Sequence, residues 1–173
     1  MPESGSDLAL AVLRIAIGLV LAAHGAQKVF GVFEGPGLEK WRGAVAGMGF
    51  AQPRVMGTLA AFTELFGGLA FAIGMYTPIV AAMLAVDMLV AIVKAHWAKG
   101  FFVQKGGYEY PLVLFIALCV IGISSASRYS VDAALGLFAG NAAWFAGVLL
   151  AGILATIGAA LAGRQPEGSR RTV

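Results

Sequence analysis

At 173 residues, 60% of them apolar and 12% charged, with a mean hydropathy of +0.85, this chain departs from soluble domains, where about 25% of residues are charged. The balance reads as an integral membrane protein, and the length suits one compact bundle rather than two membrane domains. The formal net charge of +3 comes from cations spread over membrane-flanking loops, without the clustered patch that nucleic-acid binding needs.

Five apolar segments follow in chain order. The first, Leu8–Val29, is long enough to cross a hydrocarbon core of about 30 Å, yet it contains Arg14, His24 and Lys28. At about 100° per residue, with Arg14 at zero, Lys28 falls near −40° and His24 near −80°. Three ionisable groups on one stripe of a lipid-like helix point to a bundle interior or a wetted cavity. Upstream, residues 1–7 form a short tail holding Glu3 and Asp7 and no cation, the opposite of a signal-peptide n-region.

Leu38, Trp41, Val45 and Met48 recur at helical spacing within Gly37–Gly49, beside Glu39, Lys40 and Arg42, which predicts a short interfacial or re-entrant helix. The second span, Val55–Tyr76, carries Glu64 about 14 Å from its start. Its small residues Gly57, Ala60, Ala61, Gly68 and Ala72 share the glutamate's face, so that face should meet a neighbouring helix. The third span, Pro78–Trp97, has Thr77 placed as an N-cap and Pro78 at the first helical position. It holds Asp87 and, near its end, His96.

The loop Lys99–Glu109 is aromatic and glycine-rich and is placed to fold back over the bundle mouth. The fourth span, Tyr110–Ser124, is short and contains the lone cysteine, Cys119. A single apolar-flanked thiol reads as a small hydrophobe, with no internal disulfide. The fifth span, Ala142–Leu161, carries glycines and no charge; the tail over 164–173 is polar.

With five spans, the first and third connections and the C-terminus share one side, and ten of the twelve Lys and Arg residues fall there. The positive-inside rule then places the N-terminus outside and the C-terminus in the cytoplasm. In that arrangement His24, Lys28, Glu64, His96 and Glu109, with Tyr108 beside them, converge on a cytoplasm-facing pocket. Imidazole and carboxylate together suit metal binding, a proton relay, or hydrogen bonding to a quinone head group; the same groups also suit an interface wetted by headgroups and water. If a metal binds, His24, Glu64 and His96 are its ligands; His24 and His96, at similar depth, could also ligate one haem from both faces. Nearer the outside, Arg14 and Asp87 lie about 9 and 13 Å below their helix ends and are read as a mutually neutralising ion pair. No phosphate loop, dinucleotide fingerprint, nucleophile elbow or zinc-protease motif occurs.

The stretches LRIAIGLVLAAHGAQKVFG, ELFGGLAFAIGMYTP, AIVKAHWAKGFF, GGYEYPLVLF and RYSVDAALG, in this order, resemble the DoxX family of prokaryotic membrane proteins over about Leu8–Gly136. The resemblance implies a four-helix membrane bundle over 8–136 in the prokaryotic plasma membrane. It also implies association with redox systems, since related DoxD-type proteins serve thiosulfate:quinone oxidoreduction and some members join complexes that detoxify oxidants; many members have no established activity. Here ISSASRYSVD replaces the Gly-Pro-Gly-like turn frequent in the family, and the fifth span, within 137–163, lies beyond the family core, facing lipid or a partner.

The expected fold is therefore all-α and membrane-integral: four DoxX-like helices, a fifth C-terminal span and an interfacial helix. The functional expectation is a subunit of a redox system working with quinone, quinone being favoured over haem or a metal, and with redox-protein partners or a second copy of itself. The alternatives are a non-catalytic accessory subunit of a larger membrane complex, and a transporter of a small solute, proton or metal that depends on Glu64 and Asp87.

Overall fold

The computed structural model describes residues 4–124, 127–137 and 141–163. Helix α1 spans Ser4–Phe30. Helix α2 is the short Gly37–Ala46, and α3 runs over Pro53–Ile73 with one π-helical turn at Thr63–Gly67. Helix α4 begins at Thr77 and passes at Ala91 into a π-helical turn, Ala91–His96, before ending at Lys99. Helix α5 is Glu109–Ile123, α6 is the single turn Val131–Ala134, and α7 is Asn141–Ala162. The described residues contain no strand and four helices long and apolar enough to cross a membrane, joined by the shorter apolar α5. The expected all-α, multi-pass membrane fold is the fold observed.

Of the expected tail over 1–7, Ser4–Asp7 form the first turn of α1, and residues 1–3 lie outside the described residues; Asp7 in the first turn and Lys28 in the last both favour the helix dipole. The polar tail over 164–173, and Ser125 and Ala126 of the altered turn, lie outside the described residues.

Small residues set the α1–α3 crossing. A Cβ added at Gly18 would sit 2.6 Å from the Ala72 nitrogen and the Gly68 oxygen, and one at Gly68 would sit 2.5 Å from the Ala22 nitrogen. The backbones touch, as small-residue stripes permit in lipid, and the glutamate-bearing face of α3 thus meets α1. Helix α4 is the central element, packed on α5 and α7. Phe71, Leu84 and Leu118 are fully buried there, with Leu21, Met88 and Phe145 around them. Leu19, Phe66, Ile116 and Leu154 point outward, the face a bilayer would cover. Helix α7 is a wall of this same bundle: Phe145 is buried, Gly152 lies over Val86, and the Ala159 carbonyl accepts from Ala51 N at 3.1 Å.

The start of α4 differs from expectation. Thr77 is its first residue rather than its N-cap; the preceding Tyr76 has φ +52°, a region uncommon for non-glycine residues. The cap comes from elsewhere in the chain. Asp132, fully buried on α6, accepts the Tyr76 and Thr77 N–H groups at 2.7 Å each. Two of the orphan donors of the helix terminus are thereby satisfied by a charged acceptor.

Candidate functional site

A cavity of about 350 Å³ opens inside the bundle at the end where α1 finishes and α3 begins. Its walls come from α1, α3, α4, α5 and α7, and α2 closes it through Trp41 and Val45. Helix α2 is held on α3 by Trp41 Nε1–H donating to the Gly57 carbonyl at 2.8 Å and Arg42 Nε–H donating to Thr58 Oγ1 at 2.9 Å. The lining is largely apolar, including Leu21, Met56, Leu59, Val90 and Leu114, with Thr156 of α7 at one side. Size and character match small-molecule sites, which hold about 300–1,000 Å³ of mostly apolar space with a few placed polar groups.

The ionisable groups among them are His24, Lys28, Glu64, Asp87, His96 and Tyr110, beside the Thr63 and Thr156 hydroxyls and the Trp41 indole. Lys28 Nζ donates to Glu64 Oε2, and the same ammonium sits 4.4 Å from the centre of the Trp41 ring. Glu64 is buried; unpaired it would carry a large desolvation cost, so the lysine neutralises it and the indole shields the lysine. Glu64 stands in the π turn of α3, and His96 ends the π turn of α4. Such turns insert one extra residue into a helix and rotate the side chains beyond it, and they recur at functional sites. Gly25 lets α1 reach the backbone of Glu64 and Leu65, which fixes the glutamate beside Lys28.

His96 Nδ1 lies 2.6 Å from the Gly106 carbonyl oxygen. A carbonyl only accepts, so Nδ1 carries the proton, and in the neutral ring Nε2 is an acceptor. His24 Nε2 meets the Tyr110 hydroxyl at 3.2 Å with the rings tilted together. Asp87 Oδ2 is buried and, among the described residues, has no hydrogen-bond partner, a condition that costs about 1–3 kcal/mol. Glu64 and Lys28 both act on it electrostatically.

The structure thus brings His24, Lys28, Glu64 and His96 to one cavity, while Tyr108 and Glu109 stand outside its wall. Tyr108 stacks on Trp97 at 5.1 Å between ring centres and meets Phe101 edge-on. Glu109 Oε2 accepts the Val103 N–H at 3.0 Å. Both residues organise the loop after α4, which closes on itself through Tyr108 N–H to the Gly100 carbonyl and Glu109 N–H to the Phe101 carbonyl. Tyr110, missed in the sequence, takes the place expected for its neighbours; a hydroxyl in the first turn of a span was the available signal.

The expected Arg14–Asp87 pair does not form. Arg14 is buried at the opposite end of the bundle, where its guanidinium donates to the Tyr129 carbonyl at 2.6 Å and to the Ala72 carbonyl at 3.4 Å and interacts electrostatically with Asp132. Asp87 faces the cavity instead. Among the described residues no group of three His, Cys, Asp or Glu side chains is placed to hold a metal ion, so His24, Glu64 and His96 do not make a ready ligand set.

The family model described as DoxX matches residues 9–97, 89 of the 173 residues. That stretch contains His24, Lys28, Glu64, Asp87 and His96; Tyr110 and Asp132 lie beyond it. No curated protein and no solved structure matches the chain.

Proposed function

The chain belongs to the DoxX family, and on that footing we propose that it is a membrane subunit of a redox system whose cavity holds the head group of a quinone. The observation that carries this reading is the cavity's composition: apolar walls around Lys28 and a His24–Tyr110 pair. A quinone has ring oxygens for the lysine and for the hydroxyl–imidazole pair, and an apolar tail for Leu59, Met56 and Val90. When bound, it supplies reversible two-electron, two-proton chemistry. Lys28 and Tyr110 orient the ring oxygens, Glu64 holds Lys28 in place, and Trp41 excludes water from the pair. Electrons pass to or from a redox partner in the same membrane. The protein sits in a prokaryotic plasma membrane with its N-terminus outside, and the cavity opens toward the cytoplasm, as the cation distribution supports.

The test is titration of the full chain, purified in mild detergent, with a decyl-substituted benzoquinone while tryptophan emission is followed. Saturable quenching is expected, weakened about tenfold or more in Lys28→Met. Linear quenching that is identical in parent and variant would mean partition into the micelle and would overturn the reading.

A transport reading draws on one observation, that two carboxylates, Glu64 and Asp87, share a cavity inside the bundle with a single lysine. It expects proton or cation flux in proteoliposomes that is lost in Asp87→Asn; absence of flux rules against it.

A further inference from the structure

The cavity also opens through the side of the bundle. Helix α3 packs on α1 and α2 and, from its π turn onward, on α4, whereas α7 packs on α4 and α5. Among the described residues α3 and α7 do not pack along each other. They are tied at their ends, where the Ala159 carbonyl accepts from Ala51 N–H at 3.1 Å. Further into the bilayer both helices line the same cavity, α3 through Met56, Leu59 and Thr63 and α7 through Thr156, with Val86 and Val90 of α4 behind them. Leu59 is 58% exposed and yet lines the cavity, which places it on a rim. It stands about 9 Å along α3 from Pro53, within the apolar run long enough to cross a membrane, so this rim faces lipid chains rather than water. The rim is apolar as well, because Thr156 commits its hydroxyl hydrogen to the Gly152 carbonyl at 2.8 Å.

We propose, resting on the quinone reading, that the window between α3 and α7 is the ligand's passage: a long-chain prenyl quinone enters sideways from the bilayer, and its chain stays threaded between Leu59 and Thr156. The ring goes inward to Lys28 and Tyr110, and the end of the chain remains in lipid. Size supports this route. A cavity of about 350 Å³ is at the small end of small-molecule sites, about 300–1,000 Å³, so it takes a ring and the first atoms of a chain. The rest of a long chain has to leave. At the cytoplasmic end Trp41 and Val45 of α2 cover the cavity, and a chain leaving there would be exposed to water, which apolar surface resists. At the window it passes from an apolar rim into lipid. The site therefore takes a membrane-dissolved amphiphile and sets no limit on chain length. Helix α7, which lies beyond the stretch matched by the family model, supplies one side of the window.

The experiment places the full chain in lipid nanodiscs and follows tryptophan emission during two titrations. One uses a polyprenyl benzoquinone added to the bilayer, the other the chainless dimethoxy-methyl-benzoquinone. Leu59→Phe/Thr156→Phe narrows the window from both sides. Leu19→Phe/Ile116→Phe adds similar bulk at outward-facing positions elsewhere, and melting temperature is the control for folding. The window variant is expected to weaken polyprenyl quinone binding about tenfold or more and to change chainless binding by less than about twofold; the outward-facing pair changes neither. Polyprenyl binding as tight in the window variant as in the parent overturns the inference and leaves the quinone reading standing. Equal weakening of both ligands also overturns the passage, since the two residues then shape the ring site. Saturation of the parent by the chainless compound alone has the same meaning. Saturable binding of neither ligand by the parent overturns the inference together with the reading beneath it. Should the window variant fail to fold, a polyprenyl quinone with a diazirine on its first prenyl unit decides the question on the parent. Labels on Leu59 and Thr156, suppressed by excess unlabelled polyprenyl quinone, are expected; labels on Trp41 and Met48 in their place overturn the inference.

Discussion

Replacing Asp132 by alanine should be strongly destabilising, although the residue lies outside the cavity. The carboxylate is fully buried and accepts two backbone N–H groups at 2.7 Å, from Tyr76 and Thr77. Hydrogen bonds to a charged group contribute about 1.5–3 kcal/mol each. Both are lost together, so the two sum to about 3–6 kcal/mol, the lower half being the better guide because bonds to one carboxylate are not additive. The substitution also removes the anion that acts on buried Arg14, and it frees Tyr76 from the bond that holds its positive φ. The expected loss is about 3–5 kcal/mol, which at about 2–4 °C per kcal/mol lowers the melting temperature by roughly 10 °C. Asp132→Asn keeps one acceptor and should lose about half as much. The assay is thermal unfolding in detergent followed by a thiol-reactive dye, with Cys119, packed against the core, as the reporter. Melting of Asp132→Ala within about 2 °C of the parent would refute the assignment of Asp132 as the cap of α4.

Lys28→Met should destabilise by about 3–5 kcal/mol, because it leaves Glu64 buried without its partner, while the double variant Lys28→Met/Glu64→Leu should recover most of that loss; a double-mutant cycle on melting checks both. Gly18→Val should lower the melting temperature or abolish folded yield, by about 1–3 kcal/mol or more, since even one Cβ would meet the α3 backbone at 2.6 Å; the same change at Gly147, which has open space, should be tolerated. In a Cys119→Ala background, cysteines at positions 40 and 54 should react with an impermeant thiol reagent only from the cytoplasmic side, and one at position 128 only from outside. The reverse pattern would overturn the orientation.

The spans were legible because bilayer thickness dictates a long apolar run, and sequence periodicity carries that information directly. The α1-facing side of α3 was legible for a related reason: Gly68, Ala72 and Glu64 share a helical stripe, and only a close helix neighbour makes use of such a stripe. Depth along a helix was less informative. Arg14 and Asp87 have similar nominal depths, but pairing also requires that they face each other. The guanidinium instead reaches the Tyr129 carbonyl, 115 residues away, a contact that no local pattern announces. Asp132 was invisible as a cap for the same reason, being 55 residues from the Thr77 it serves. At the start of α5, neighbouring residues point about 100° apart. The charge of Glu109 drew attention, although Tyr110 occupies the cavity face. The π turns at Thr63–Gly67 and Ala91–His96 shift the register on which any such reading depends.

The measurement that tests the account most directly is photolabelling of the full chain with an azido-substituted quinone, followed by mass spectrometric mapping of the modified residues. The account predicts labels confined to cavity residues such as Leu21, Asp87, Tyr110 and Leu114, suppressed by excess unlabelled quinone. Labels spread over outward-facing positions such as Leu19, Ile116 and Leu154, unaffected by competitor, would contradict it.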